Sequence, residues 1–215
     1  MFVLNLILQI ATLITGLVYH SSVRPAVYRS FLFVIGLSIL NESLSNAGFY
    51  THIGISKLLF YNAFFSIQLF VYGRIFYTVF VPVHKKIFIK TVLTLLLAAI
   101  VSVIYKGFYS FNPYFLSILS IGLILFASIY LYEIYQKEEI YYLKADPVFW
   151  FSIGIIIANF FFLLFVNAVH VASFKNSSSA KTVFKGLNTL GNIFYYVFLI
   201  TSVLCSKLFR KQVGI

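Results

Sequence analysis

Long apolar runs separated by short polar connections dominate the chain, at about 2–19, 30–50, 58–83, 87–105, 113–135, 148–172 and 187–208. Each is close to or beyond the ~20 residues that carry a helix across a hydrocarbon core. Spanning β-strands would instead show alternating segments of about ten residues, and only a helix satisfies its own backbone within one segment in lipid. The pattern predicts an all-α membrane protein, a single seven-transmembrane-helix bundle over residues 1–215. The first run lacks a basic leader and a small-residue cleavage pattern, so it reads as a retained span.

Composition supports this class and narrows it. Hydrophobic residues make up 61% of the chain and charged residues 10%, and mean hydropathy is +0.98, which leaves no soluble domain beside the spans. The net charge of +11 would suit nucleic acid if it were clustered. The basic residues are instead dealt out between apolar runs, as topology signals are, so no nucleic-acid partner is expected. Ten Lys and Arg fall in the first, third and fifth connections and the C-terminal tail, against five on the opposite side. The positive-inside rule then puts the N-terminus outside and the C-terminus in the cytoplasm.

Polar residues inside the apolar runs are the candidate chemistry. Counting 1.5 Å per residue from the cytoplasmic helix ends puts Gln9, Asn41, Glu42, Arg74 and Asn159 at about 13–18 Å, mid-depth in a core ~30 Å thick. Gln68 and Asn192 lie near ~20 Å on the same arithmetic. Five different spans thus bring a polar side chain to one level. Glu42 and Arg74 stand on neighbouring antiparallel spans about one turn apart in depth, which predicts a buried ion pair. Asn41, Asn46 and Gln68 would hydrogen-bond around it, with Glu42 and Asn46 on one face at i,i+4. Such a layer serves either as interhelical glue or as a functional site, since intramembrane ionisable groups are costly unless used.

Other positions carry less. Glu133 is expected to snorkel to the cytoplasmic interface or to pair with Lys137 at i+4. His170 and Asn167 read as interfacial, Tyr132, Tyr135, Tyr141, Tyr142 and Trp150 as an aromatic belt. Asn176-Ser177-Ser178 matches a glycosylation sequon. The single Cys205 excludes an internal disulfide, and no HExxH, ligand cluster or Ser/His/Asp set is present. No catalytic residue, metal or cofactor is expected, and the chain reads as a non-enzyme.

Seven-helix families are tested by their marker residues. A retinal protein needs a mid-span lysine in the last span, yet Lys185 and Lys207 flank it. Segment seven holds no proline, and segment three ends Val81-Pro82-Val83-His84, unlike G-protein-coupled receptors. Small seven-helix sugar transporters bend their helices at prolines, and segments one, two, five, six and seven lack internal ones. The passage Leu131-Tyr132-Glu133 through Lys144-Ala145-Asp146-Pro147-Val148-Phe149-Trp150, within a highly aromatic seven-span layout, resembles the small seven-helix membrane proteins and sensing modules associated with Bacteroidota-type two-component histidine kinases. That resemblance implies a sensor with a histidine kinase-like partner. The expected function is an integral membrane sensor or accessory subunit whose polar layer binds a small or lipidic ligand. Alternatives are a small transporter or channel subunit using Glu42 as coupling carboxylate, or a structural subunit of a membrane complex.

Overall fold

A computed structural model of the protein describes residues 2–19, 25–52, 57–107, 112–136, 140–170 and 178–213. In chain order these form α1 (Phe2–Val18), α2 (Pro25–Asn46), the single turn α3 (Phe49–His52), α4 (Lys57–Val79), α5 (Pro82–Lys106), α6 (Pro113–Gln136), a 3-10 turn (Ile140–Ala145), α7 (Pro147–His170) and α8 (Ser178–Val213). No strand occurs among the described residues. Five segments, Leu58–Val79, Pro82–Lys106, Pro113–Gln136, Pro147–Ala168 and Gly186–Cys205, are long and apolar enough to cross a membrane, so this is a multi-pass membrane protein. The apolar part of α1, Val3–Val18, is shorter. The 22 residues of α2 suffice in length, but Asn41, Glu42 and Asn46 dilute its apolar character. Residues 176 and 177 of the sequon, and Lys137, lie outside the described residues.

Proline sets the helix starts. All four prolines, Pro25, Pro82, Pro113 and Pro147, stand at the first position of a helix, where the missing N–H costs nothing and the fixed φ is already helical. Asn112 caps α6 by accepting the Phe115 N–H on its Oδ1 at 3.0 Å. Asp146 caps α7 through the Val148 N–H at 2.8 Å. Two boundaries therefore move from the sequence reading. The break between the third and fourth predicted spans falls at Phe80–Val81, which puts His84, Lys85 and Lys86 inside the first turns of α5 and not in a loop. The polar stretch before the last span becomes the first turns of the 36-residue α8.

Helices α1, α2, α4, α6, α7 and α8 close into a ring, each packed on the next and α8 back on α1. Helix α5 packs from outside, chiefly on α6, and leaves Leu93, Leu97, Ile100 and Ile104 exposed. The α7–α8 interface is the most extensive. Two glycines permit its closeness: a Cβ on Gly154 would stand 2.8 Å from the Phe198 Cβ, and one on Gly191 would stand 2.7 Å from the Phe161 Cβ.

The two ends of the bundle differ. Toward the end that carries the α4–α5 and α6–α7 connections and the C-terminus of α8, the centre is filled by rings. Phe31 and Tyr72 pack on Phe151 at 4.7 and 4.9 Å between centroids, Phe76 stacks on it at 5.6 Å, and Phe88 meets Phe126 at 4.4 Å. Phe76, Phe126 and Phe151 are completely buried.

Glu133 sits at this end and corrects the sequence expectation. It does not snorkel, and Lys137, the other expected partner, lies outside the described residues. It is buried, accepts the Val81 N–H at 3.1 Å on Oε1, and pairs with His84 Nδ1. The reason is register: Glu133 continues the inward stripe Leu116, Leu119, Leu123, Phe126 and Tyr130 of α6. Its carboxylate lies at the N-terminus of α5, where the helix dipole favours it, and so ties the α4–α5 turn to α6.

Two stability tests follow from these contacts. Gly191→Leu overpacks the α7–α8 seam and costs about 1–3 kcal/mol, read as a lower thermal unfolding midpoint, whereas Gly36→Ala, with nothing within 4 Å of its added Cβ, leaves the midpoint unchanged or raised. Glu133→Leu strands the Val81 and His84 donors at about 1–3 kcal/mol for each buried group left unpaired, and Glu133→Gln loses less in the same unfolding measurement.

Candidate functional site

At the opposite end, where α1 begins and where α2 meets α4 and α7 meets α8, side chains leave a cavity of about 590 Å³. Helical spacing explains its lining. On α4, Asn62, Phe65, Gln68 and Tyr72 follow one another at three- and four-residue steps and share a face. On α8, Asn192 follows Asn188 by four residues, and Tyr195 and Tyr196 follow Asn192 by three and four. Helix α2 contributes Ser38, Asn41 and Glu42, α1 contributes Asn5, and α7 contributes Asn159, Phe162 and Val166. Leu58, at the start of α4, belongs to the lining and is itself 38% exposed.

The floor is a hydrogen-bonded layer. Tyr72 and Tyr195, both buried, share a hydrogen bond between their hydroxyls, and Gln68 lies beside them in the lining. Gln9, buried on α1, donates from Nε2 to the Ser38 Oγ at 3.0 Å and to the Tyr196 hydroxyl at 2.9 Å. Four helices are thereby cross-linked in one layer. Immediately beyond it lies the ring-packed core, since Tyr72 itself contacts Phe151. The cavity is therefore a vestibule with a closed floor.

Of the residues singled out from the sequence, Asn41, Glu42, Gln68, Asn159 and Asn192 line the cavity. Asn41 also accepts the Tyr50 hydroxyl at 2.8 Å, and Asn159 donates to the Ile155 carbonyl at 2.9 Å. Gln9 braces the floor. Asn46 is exposed and donates to the Glu42 carbonyl on its own helix at 2.7 Å, outside the cavity.

The Glu42–Arg74 pair does not form among the described residues, where the one ion pair is His84–Glu133. Arg74 is exposed. Depth alone suggested the pair, but azimuth decides against it: Arg74 follows Tyr72 by two residues and so points nearly opposite to it. It belongs to the outward stripe Ile67, Phe70 and Tyr77, all exposed. Five residues from the end of α4, the guanidinium lies within reach of that membrane interface by snorkelling.

Sequence reasoning missed Asn5, Ser38, Tyr61, Asn62, Tyr72, Asn188, Tyr195 and Tyr196, all in the lining. A signal was available in spacing: Asn5 with Gln9 and Asn188 with Asn192 are i,i+4 pairs, and Tyr195 and Tyr196 extend the second at three and four residues. Among the described lining residues there is one carboxylate and no Lys, Arg, His or Cys. No group of three His, Cys, Asp or Glu side chains comes together among the described residues.

Arg74→Ala tests the correction directly. It leaves thermal stability within about 0.5 kcal/mol, as exposed substitutions do, where breaking a buried ion pair would cost about 3–5 kcal/mol. Gln9→Leu removes two interhelical bonds and costs about 1–3 kcal/mol in the same assay. Comparison with known proteins finds no family model, no curated protein and no solved structure that matches this chain.

Proposed function

We propose that this chain is a non-enzymatic integral membrane sensor or accessory subunit. Seven helices span a bacterial inner membrane with the N-terminus outside, and a small ligand enters the polar vestibule from the outer face. The cavity end carries the less basic connections, which is the orientation the positive-inside rule favours. The cytoplasmic end meets a partner protein, for which a histidine kinase is the reading that the resemblance of the Lys144–Trp150 passage suggests. That passage is well braced: the Tyr130 hydroxyl bonds Asp146, the Trp150 Nε1 donates to the Lys144 carbonyl at 2.9 Å, and the Ser202 hydroxyl donates to the Pro147 carbonyl at 2.6 Å. Ligand-dependent movement of α8 against α7 would reach it.

The observation that carries this reading is a polar vestibule over a packed aromatic floor. A purely structural subunit has no need of a cavity of about 590 Å³, within the range of small-molecule sites. A transporter using Glu42 as coupling carboxylate would need a passage past the Tyr72–Tyr195 layer and the rings beneath it.

Thiol accessibility separates the three. In a Cys205→Ala background, Asn192→Cys is expected to react with a small membrane-impermeant thiol reagent in spheroplasts and not in inverted vesicles. Ser152→Cys, at a completely buried position, stays unreacted in both. Reaction of Asn192→Cys from both sides would favour the transporter, and from neither side the structural subunit.

A further inference from the structure

Taking the vestibule as a binding site, we propose that its ligand is a neutral polyhydroxylated molecule of about mono- or disaccharide size, either free or as the headgroup of a glycolipid. The lining selects this chemistry by what it can and cannot satisfy. Seven side-chain amides, six Asn and one Gln, face the cavity, and an amide offers a donor and an acceptor at once. Hydroxyl groups, which also donate and accept, match that alternation around a ring.

One acceptor is already waiting. The Asn5 Oδ1, on the cavity wall, is buried without a hydrogen-bond partner, and such an orphaned group calls for a donor. Asn188 and Asn192 make no side-chain hydrogen bond to a described residue, so their donors and acceptors are open to the cavity. Tyr61, Phe65, Phe162 and Tyr195 add aromatic surface against which the apolar C–H face of a sugar ring packs.

Other ligand classes fit worse. An anion finds no Lys, Arg or His among the described lining residues, and it meets the Glu42 carboxylate. An alkyl chain would exclude water from the amides without bonding them, at about 1–3 kcal/mol for each group left unpaired. An organic cation would satisfy acceptors only, leaving the amide N–H groups without partners.

The test is calorimetric titration of the full chain in nanodiscs free of glycolipid, because maltoside and glucoside detergents would themselves occupy the site. The panel is glucose, galactose, N-acetylglucosamine and maltose; choline and putrescine; phosphate and citrate. At least one neutral sugar is expected to bind, with Asn188→Leu and Asn192→Leu each weakening it about tenfold and Asn167→Leu, on the exposed side of α7, leaving it unchanged. Binding only when the sugar is presented as a glycosyl diacylglycerol in the nanodisc, with the same variant pattern, supports the headgroup source. Binding of cations or anions alone overturns the polyol assignment and leaves the vestibule a binding site. No binding across the panel, with Asn192→Cys still reactive, overturns the assignment too. No binding with that thiol unreactive removes the binding reading itself.

Discussion

A polar side chain inside an apolar bundle must find a partner or water, because stranding it costs more than any single packing contact returns. That constraint organises this molecule. It sends Gln9, Ser38, Tyr72, Tyr195 and Tyr196 toward one another in a layer that joins α1, α2, α4 and α8. It pulls Glu133 inward to the Val81 N–H and His84. Above the layer there are more amides than protein partners for them, and the bundle opens there instead of closing. Below it the residues are aromatic, and the bundle closes completely.

The asymmetry between the two ends is what gives the fold a direction. Rings fill space well and are cheap to bury, so the end built on Phe76, Phe126 and Phe151 is dense. Amides hold water and ligands equally well, so the end built on Asn5, Asn62, Asn188 and Asn192 can exchange one for the other. The Tyr72–Tyr195 bond lies at the junction, touching both regimes. Any ligand that reaches Tyr195 therefore presses on a residue of α8, the helix whose seam with α7 is the most extensive and whose far end holds Pro147 through Ser202.

How much of this was legible in the sequence follows from which variable each residue tests. Hydropathy runs gave the helical class and placed two of the four proline helix starts to within a residue, at Pro113 and Pro147, while Pro25 fell in a predicted connection and Pro82 at the end of a predicted span. Depth counting found a polar level and named five residues that do line the cavity, Asn41, Glu42, Gln68, Asn159 and Asn192. It failed for Arg74 and Asn46, because depth says nothing about which way a side chain points; two residues of rotation turn Arg74 away from Tyr72. Azimuth read from the same sequence would have placed Glu133 on the inward stripe of α6 and linked Asn188 to Asn192 and the two tyrosines. The cavity volume itself was not legible, because it depends on how closely six helices approach, and that is set by packing at positions such as Gly154 and Gly191.

Hydroxyl-radical footprinting of the protein in nanodiscs tests the central claim, a wet vestibule above a dry floor, most directly. The account predicts oxidation at Tyr61 and at the cavity-facing stretch of α8, with Phe76, Phe126 and Phe151 protected. Oxidation of those three rings to the same extent as Tyr61 would mean that water runs through the bundle, and the closed-floor account would be wrong.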